Sequence, residues 1–221
     1  YYFKPGTVIA VSISILLLYW AFMRIGGDAP DPLSMTGNLG YKIDVWLMGK
    51  DHMYHGEGVA FDPEGWLSTL PSVVNVTLGY MVGKFIQQKG KTFEGLAKLL
   101  LLGFAFIVVG YFWDLGFPIN KKLWTSSFVV YTVGLDCVII SAIMYVVDFL
   151  GRTKWTRFFT VFGRNPLFIY LLSEVGATIL YTVHPQPDTD LVSWLYDNIY
   201  RHAGLYFGSF LFALSWMLFC W

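Results

Sequence analysis

The sequence predicts an all-α fold, a polytopic transmembrane helical bundle with six spans, and three observations carry that prediction. Of 221 residues, 56% are apolar, 19% aromatic and 14% charged, with a mean hydropathy of +0.54, whereas a soluble domain carries about 25% charged residues. Two apolar runs are each long enough to cross ~30 Å of hydrocarbon: residues 96–113 are apolar except Lys98, and Trp124 to Val147 holds one charge, Asp136, in 24 residues. The junction between them, Phe117-Pro-Ile-Asn-Lys-Lys-Leu-Trp-Thr-Ser-Ser-Phe128, gathers two lysines, an amide, an indole and three hydroxyls. Soluble proteins have little reason to build that junction.

Taken in order, the spans fall at about 6–23, 66–86, 96–113, 124–147, 161–182 and 204–221. The first is not a cleaved signal, because Ala21-Phe-Met-Arg24 offers no small-x-small site. Tyr1-Tyr2-Phe3 leads straight into it, and the last span stops at Trp221 without a basic anchor, so the chain reads as a piece truncated at both ends. Residues 1–221 show no repeat, low-complexity tract or linker and read as a single domain. Cys137 and Cys220 sit inside predicted spans as small apolar residues. Asn75-Val-Thr77 matches a glycosylation sequon but falls mid-span, where no glycan could be added.

Charge orients the bundle. Segments 1–5, 84–98 and 148–164 hold nine of the fifteen Lys and Arg residues and two acids, Glu94 and Asp148, so by the positive-inside rule they face the cytoplasm. Segments 24–65, 114–123 and 183–204 hold eleven of the fifteen acids and all four histidines. Titratable chemistry therefore collects on the outer face. Net charge is zero and the basic residues are split among short loops, which excludes nucleic acid as a natural partner.

Polar placement within the spans is ordered. Ser68, Ser72, Asn75, Gly79 and Gly83 follow steps of 4, 3, 4 and 4 and form one helical stripe. Close packing through Gly79-x-x-x-Gly83 explains it, and a polar channel past Asn75 is the sharper alternative. Asp136 and Glu174 are the acids deepest in the spans, and each is expected to face the bundle interior or to be neutral. On the outer side, Gly40-Tyr-Lys-Ile-Asp44, Asp51-His-Met-Tyr54 and Phe61-Asp-Pro-Glu-Gly65 follow one another. Asp62 as an N-cap with Pro63 and Glu64 in a first turn would explain the last of these as a helix start. His52 beside Asp51 suggests a base paired with an acid. His52 with His55 lacks a third convergent ligand, so no metal is expected.

The order Gly-Tyr-x-x-Asp, Asp-His-Met-Tyr, Asp-Pro-Glu-Gly, Pro-Ile-Asn-Lys-x-Leu-Trp-x-x-Ser and Gly163-Arg-Asn165, with Tyr170 and Glu174, resembles the C-terminal half of the heparan-alpha-glucosaminide N-acetyltransferase family over about residues 6–221. Asn120-Lys121-x-Leu123-Trp124 and Asp62-Pro-Glu-Gly65 are its most specific signatures here. The resemblance implies a polytopic enzyme that takes acetyl groups from cytosolic acetyl-CoA and delivers them to an amino sugar or glycan across the membrane. It places the catalytic histidine in an upstream loop that no position of this sequence matches. Position by position it carries over Asp51, His52 and Tyr54, Glu64, then Asn120, Lys121, Trp124 and Ser127, and finally Asn165. Loop lengths and the lack of sequons outside the spans suggest a bacterial relative in a cytoplasmic (inner) membrane.

Acyl transfer from a thioester to an amine needs a base and donors for the developing oxyanion. His52, Glu64 and Asn120 are the catalytic candidates, with Asn120 or Lys121 as oxyanion donor. Asp51, Tyr54, Lys121, Trp124 and Ser127 are the substrate-binding candidates, Trp124 offering a flat face to a sugar ring or to pantetheine. Lys121, Lys122 and Trp124 would serve equally as interfacial anchors. Arg152, Lys154 and Arg164, with Asn165 and Arg157 nearby, are the candidates for the phosphates of acyl-CoA, although such clusters often only set topology. Membrane lipid is the surrounding partner, and a homodimer is one assembly left open. The alternative function is a secondary transporter for an amino sugar or small anion, which would also use Asp136, Glu174 and a polar stripe but should show broken helices in matching halves.

Overall fold

A computed structural model describes residues 4–56 and 58–221; Tyr1-Tyr2-Phe3, read above as the lead into the first span, and Glu57 lie outside it. The described residues are helical, with no strand beyond an isolated bridge between Gln186 and Thr189. The chain divides into two compact units, Tyr1–Gly151 and Arg152–Trp221, and each is described by itself.

The first unit holds α1 (Pro5–Gly26), α2 (Leu39–Met48), α3 (Thr69–Lys89), α4 (Phe93–Asp114) and α5 (Ser126–Met144), the last prolonged by a π turn, Tyr145–Phe149. Among the described residues, three helices are long and apolar enough to cross a membrane: α1, α4, and α5 with its π turn. The 21 residues of α3 reach ~31 Å at 1.5 Å per residue, but Ser72, Asn75 and Thr77 make it less apolar. Within this unit the helix ends sort into two layers. Lys91 pairs with Asp148 at 2.7 Å and Phe93 meets Phe149 at 4.4 Å, joining the two segments expected on the inner face. At the other end Trp20 donates its indole N–H to Gly116 O at 3.3 Å, and the Tyr19 hydroxyl donates to Leu123 O.

Close packing falls on a different helix pair from the expected one. A Cβ at Gly134 would lie 2.7 Å from Ile107 N and 2.8 Å from Gly103 O, and one at Gly110 would lie 2.8 Å from Tyr131 N. Glycine therefore lets α4 and α5 touch backbone to backbone. Gly79 and Gly83 on α3 have nothing within 4 Å of a Cβ, so that stripe is not the packing seam. The seam also explains a second difference: Gly134, Cys137 and Ser141 are buried on α5, which turns Asp136 to an exposed face. Glu174 is likewise exposed, so neither acid points into the interior of its own unit.

The loop between α1 and α3, expected on the outer face, contains a helix that the span reading passed over. Asn38 is 1% exposed; its Oδ1 accepts the Tyr41 N–H at 2.8 Å while its Nδ2 donates to Ser34 O and Met35 O, both at 2.9 Å. That cap starts α2. The Asp-Pro-Glu-Gly segment, by contrast, starts no helix: Asp62 Oδ1 accepts the Glu64 N–H at 2.9 Å, an Asx turn, and α3 begins only at Thr69.

The second unit holds α6 (Thr156–Arg164), α7 (Pro166–Thr182), α8 (Leu191–Leu195) continued by a π turn, and α9 (Leu205–Cys220). The apolar helices α7 and α9 have 17 and 16 residues, which at ~25 Å fall short of a ~30 Å core. Inside this unit Phe158 stacks on Trp221 at 5.8 Å, and the Tyr200 hydroxyl bonds the Ser215 hydroxyl at 2.7 Å.

Candidate active site

The Asn120 junction folds into a compact turn because its polar side chains satisfy its own backbone. Asn120 Oδ1 accepts N–H bonds from Lys122 at 2.9 Å and Leu123 at 3.3 Å. Thr125 Oγ1 donates to Pro118 O at 2.8 Å and accepts the Asn120 N–H at 3.0 Å. Ser126 Oγ donates to Leu16 O at 2.7 Å, tying α5 to α1. Leu123 and Phe117 then drop into an apolar core with Tyr19, Met23 and Phe61.

Trp124 emerges from this turn with φ +50, a left-handed conformation that is an outlier for a bulky side chain. Its indole Nε1–H donates to Asn75 Oδ1 on α3 at 2.9 Å, and its ring meets Phe128 edge-on at 5.3 Å. An interfacial anchor would send that N–H toward headgroups; here it is turned inward onto the polar stripe of α3.

Tyr54, Asp62, Pro63, Glu64, Lys121, Lys122 and Trp124 line one open cavity of about 480 Å³. Two carboxylates, two ammonium groups and two aromatic faces thus converge from segments far apart in the chain. Tyr54 is brought there by the Phe61 N–H, which donates to Tyr54 O at 2.9 Å. Several candidates lie elsewhere. Asn120 does not line the cavity, and its Oδ1 is committed to the turn. Ser127 is 0% exposed, its hydroxyl 3.1 Å from Thr125 Oγ1. Asp51 and His52 are exposed on a 3₁₀ turn, Lys50–His52, and no His52–carboxylate ion pair occurs among the described residues. His52 Nδ1 lies 3.0 Å from Met48 O; since a carbonyl only accepts, Nδ1 carries a proton there.

Sequence reasoning gave no pocket role to Asp62 or Lys122, and none to Asp44. Asp44 is 2% exposed and accepts the Trp66 N–H at 2.9 Å. Burial pushes its carboxyl above the ordinary range, the Trp66 bond opposes that, and the Asp62 charge adds to it. The repeated Gly-x-x-x-Asp spacing around α2 was the one signal that could have drawn attention to it.

In the second unit, Thr153, Thr156, Arg157, Thr160, Val161 and Arg164 line a shallow depression of about 530 Å³ along α6. None of the six is acidic, and two guanidiniums beside hydroxyls fit a phosphate. Arg152, Lys154 and Asn165 are exposed outside it. No group of three or more His, Cys, Asp or Glu side chains suited to a metal occurs among the described residues.

No family model matches the chain. It is 34% identical to human heparan-alpha-glucosaminide N-acetyltransferase over 68% of its length, and 36% identical to the mouse protein over the same share. The chain spans about a quarter of the length of these curated relatives, 25% in each case. With an all-helical fold rich in apolar helices and a shared stretch of this extent, the chain belongs to the heparan-alpha-glucosaminide N-acetyltransferase family.

Proposed function

We propose that the chain forms the acceptor side of a membrane-embedded acyltransferase that moves an acetyl group from cytosolic acetyl-CoA to the amine of an extracytoplasmic amino sugar. The observation that carries this reading is the convergence of Tyr54, Asp62, Glu64, Lys121 and Trp124 on one cavity. Trp124 and Tyr54 present flat faces to a sugar ring. Asp62 and Glu64 pair with the amine as it enters in its ammonium form, and a carboxylate takes up one proton before attack. The free amine then adds to the thioester carbonyl, Lys121 meets the developing oxyanion, and collapse expels the CoA thiolate, which takes the second ammonium proton. N-acetyl sugar, free thiol and one released proton balance the reaction. His52 is a second candidate base on the Lys50–His52 turn, and the family's own histidine would come from the upstream loop.

Acetyl-CoA is proposed to enter from the inner side, its phosphates held by Arg157 and Arg164 on the hydroxyl-lined face of α6, with Arg152 and Lys154 adding long-range attraction. The loops at 84–98 and 148–164 would then face the cytoplasm of a bacterial inner membrane.

Full-length protein in lipid nanodiscs, given labelled acetyl-CoA and glucosamine, tests the proposal. Transfer should fall at least tenfold in Glu64→Gln and in Lys121→Ala, about 1.4 kcal/mol or more in the transition state. Wild-type rates in both variants would remove this cavity from the reaction.

A further inference from the structure

The turn that carries Asp62 and Glu64 has a second wall. On its inner side a Cβ at Gly65 would lie 2.1 Å from Asp44 Oδ2 and 2.9 Å from Asp44 Cγ. The Asp44 carboxyl occupies the place where any other side chain at 65 would go. Its other oxygen accepts the Trp66 N–H at 2.9 Å. Asp44, Asp62 and Gly65, with Tyr19 from α1, Tyr41 from α2 itself and Lys122, border a small cavity of about 10 Å³, about the space of one water. Asp62 and Lys122 also line the large outer cavity. The 62–66 turn therefore has Asp44 on one side and the larger cavity on the other.

We propose that Asp44 is a positioning residue of the outer cavity: lodged against Gly65 and accepting the Trp66 N–H, it holds the 62–66 turn at the depth where Asp62 and Glu64 meet the ligand's ammonium group. The proposal rests on the acceptor reading above. The role belongs to the acceptor oxygen and the shape of the group, not to its charge. An asparagine keeps both, its oxygen accepting the Trp66 N–H and its amide NH₂ taking the place of Oδ2 against Gly65. An alanine keeps neither, leaving the Trp66 N–H without its side-chain acceptor and room for the turn to sink.

Two measurements on the full-length protein test this independently. The first needs no activity. Gly65→Ala should lower the melting temperature by several degrees in the wild-type background and add little in Asp44→Ala, where the carboxyl it collides with is gone. A cysteine placed at Glu64 should react faster with a maleimide in Asp44→Ala than in Asp44→Asn. An equal Gly65→Ala penalty in both backgrounds, or equal labelling in both, overturns the proposal.

The second reads transfer to glucosamine. Asp44→Ala should raise the acceptor KM about tenfold, the size of effect expected from one lost hydrogen bond, with kcat changed far less; Asp44→Asn should restore the KM to within about threefold. An unchanged KM in Asp44→Ala, or an Asn variant as impaired as the Ala variant, rules the acceptor role out. Absence of transfer in the wild type would defeat the acyltransferase reading alone, since the melting and labelling results still decide what Asp44 does.

Discussion

The Trp124 indole N–H reaches Asn75 Oδ1 across 2.9 Å, joining the turn before α5 to the polar stripe of α3 and fixing the plane of the ring that walls the outer cavity. Trp124→Phe keeps an aromatic face but strands the Asn75 acceptor, which should cost about 1–3 kcal/mol. Asn75→Ala should cost a similar amount by stranding the indole. The double variant is expected to be less destabilised than the sum, as residues sharing one bond are coupled. Because φ at Trp124 is +50, Trp124→Gly should melt above Trp124→Ala: both lose the ring, but only glycine adopts that backbone without strain. Thermal unfolding in detergent measures all of these.

Much of this arrangement was legible beforehand, and the limits are instructive. The apolar runs located α1, α4 and α5 because twenty-odd apolar residues in water-poor surroundings have few other fates. The unusual chemistry of Asn120-Lys-Lys-Leu-Trp124 identified the junction. Sequence spacing could not tell which of its side chains turn outward: Asn120 and Ser127 are spent on the backbone and on Thr125, while Lys122 and Asp62, read as an anchor and a cap, border the cavity. Asp44 was hidden for a similar reason, since its importance comes from a glycine 21 positions away. The glycine spacing of α3 looked like a packing seam, yet the seam lies between α4 and α5, where the partner backbone happens to pass.

That seam gives a contrast between glycines. Gly134→Val should be severely destabilising, because the nearest atoms, Ile107 N at 2.7 Å and Gly103 O at 2.8 Å, belong to backbone and cannot move aside as a side chain would; overpacking of this kind costs about 1–3 kcal/mol or more. Gly79→Ala and Gly83→Ala meet nothing within 4 Å and should be neutral or mildly stabilising, alanine being the better helix former by up to ~1 kcal/mol. Melting temperatures of the three variants side by side check this, and a large loss in Gly79→Ala would place another helix on that face.

Stability should also depend on pH through Asp44. Its folded carboxyl titrates above the ordinary value of 3.8, so the folded state holds its proton more tightly than the unfolded chain. Below the unfolded value both states are protonated and the group is neutral to stability. As pH rises through that value to the folded one, the wild type loses stability, because ionising a buried carboxyl is penalised. Asp44→Asn carries no such penalty. The melting temperature of Asp44→Asn relative to wild type should therefore climb as pH rises above the unfolded value and level off once pH passes the folded one; a difference flat in pH would mean that burial does not perturb this carboxyl.

Topology is open to direct labelling. The Lys91–Asp148 pair places 91 and 148 in one layer, and the Tyr19–Leu123 bond places the C-terminal half of α1 beside the Asn120 junction. Since Cys137 and Cys220 are buried, single cysteines can be introduced at exposed positions without a competing signal. An impermeant maleimide applied to intact cells is expected to modify His55→Cys and to spare Gln88→Cys until the membrane is permeabilised. The reverse pattern would invert the orientation and move the outer cavity to the cytoplasm.

Asn120 separates scaffold from catalyst most sharply. Its Oδ1 already accepts two backbone N–H groups, at 2.9 and 3.3 Å, and only Nδ2 is left to act on a ligand. Asn120→Ala strands both N–H groups, so it should lower stability by about 1–3 kcal/mol and depress transfer by loosening the turn that presents Lys121 and Trp124. Asn120→Asp keeps an oxygen where the turn needs one and removes the Nδ2 donor. If the residue is a scaffold, as its absence from the cavity wall indicates, Asn120→Asp should melt close to wild type and retain most of its acetyl transfer. A donor to the oxyanion would instead show a loss of about 10²–10³ in kcat with the fold intact. Melting curves and steady-state transfer measured on the same preparations decide between the two, and the second outcome would return Asn120 to the catalytic set in place of Lys121.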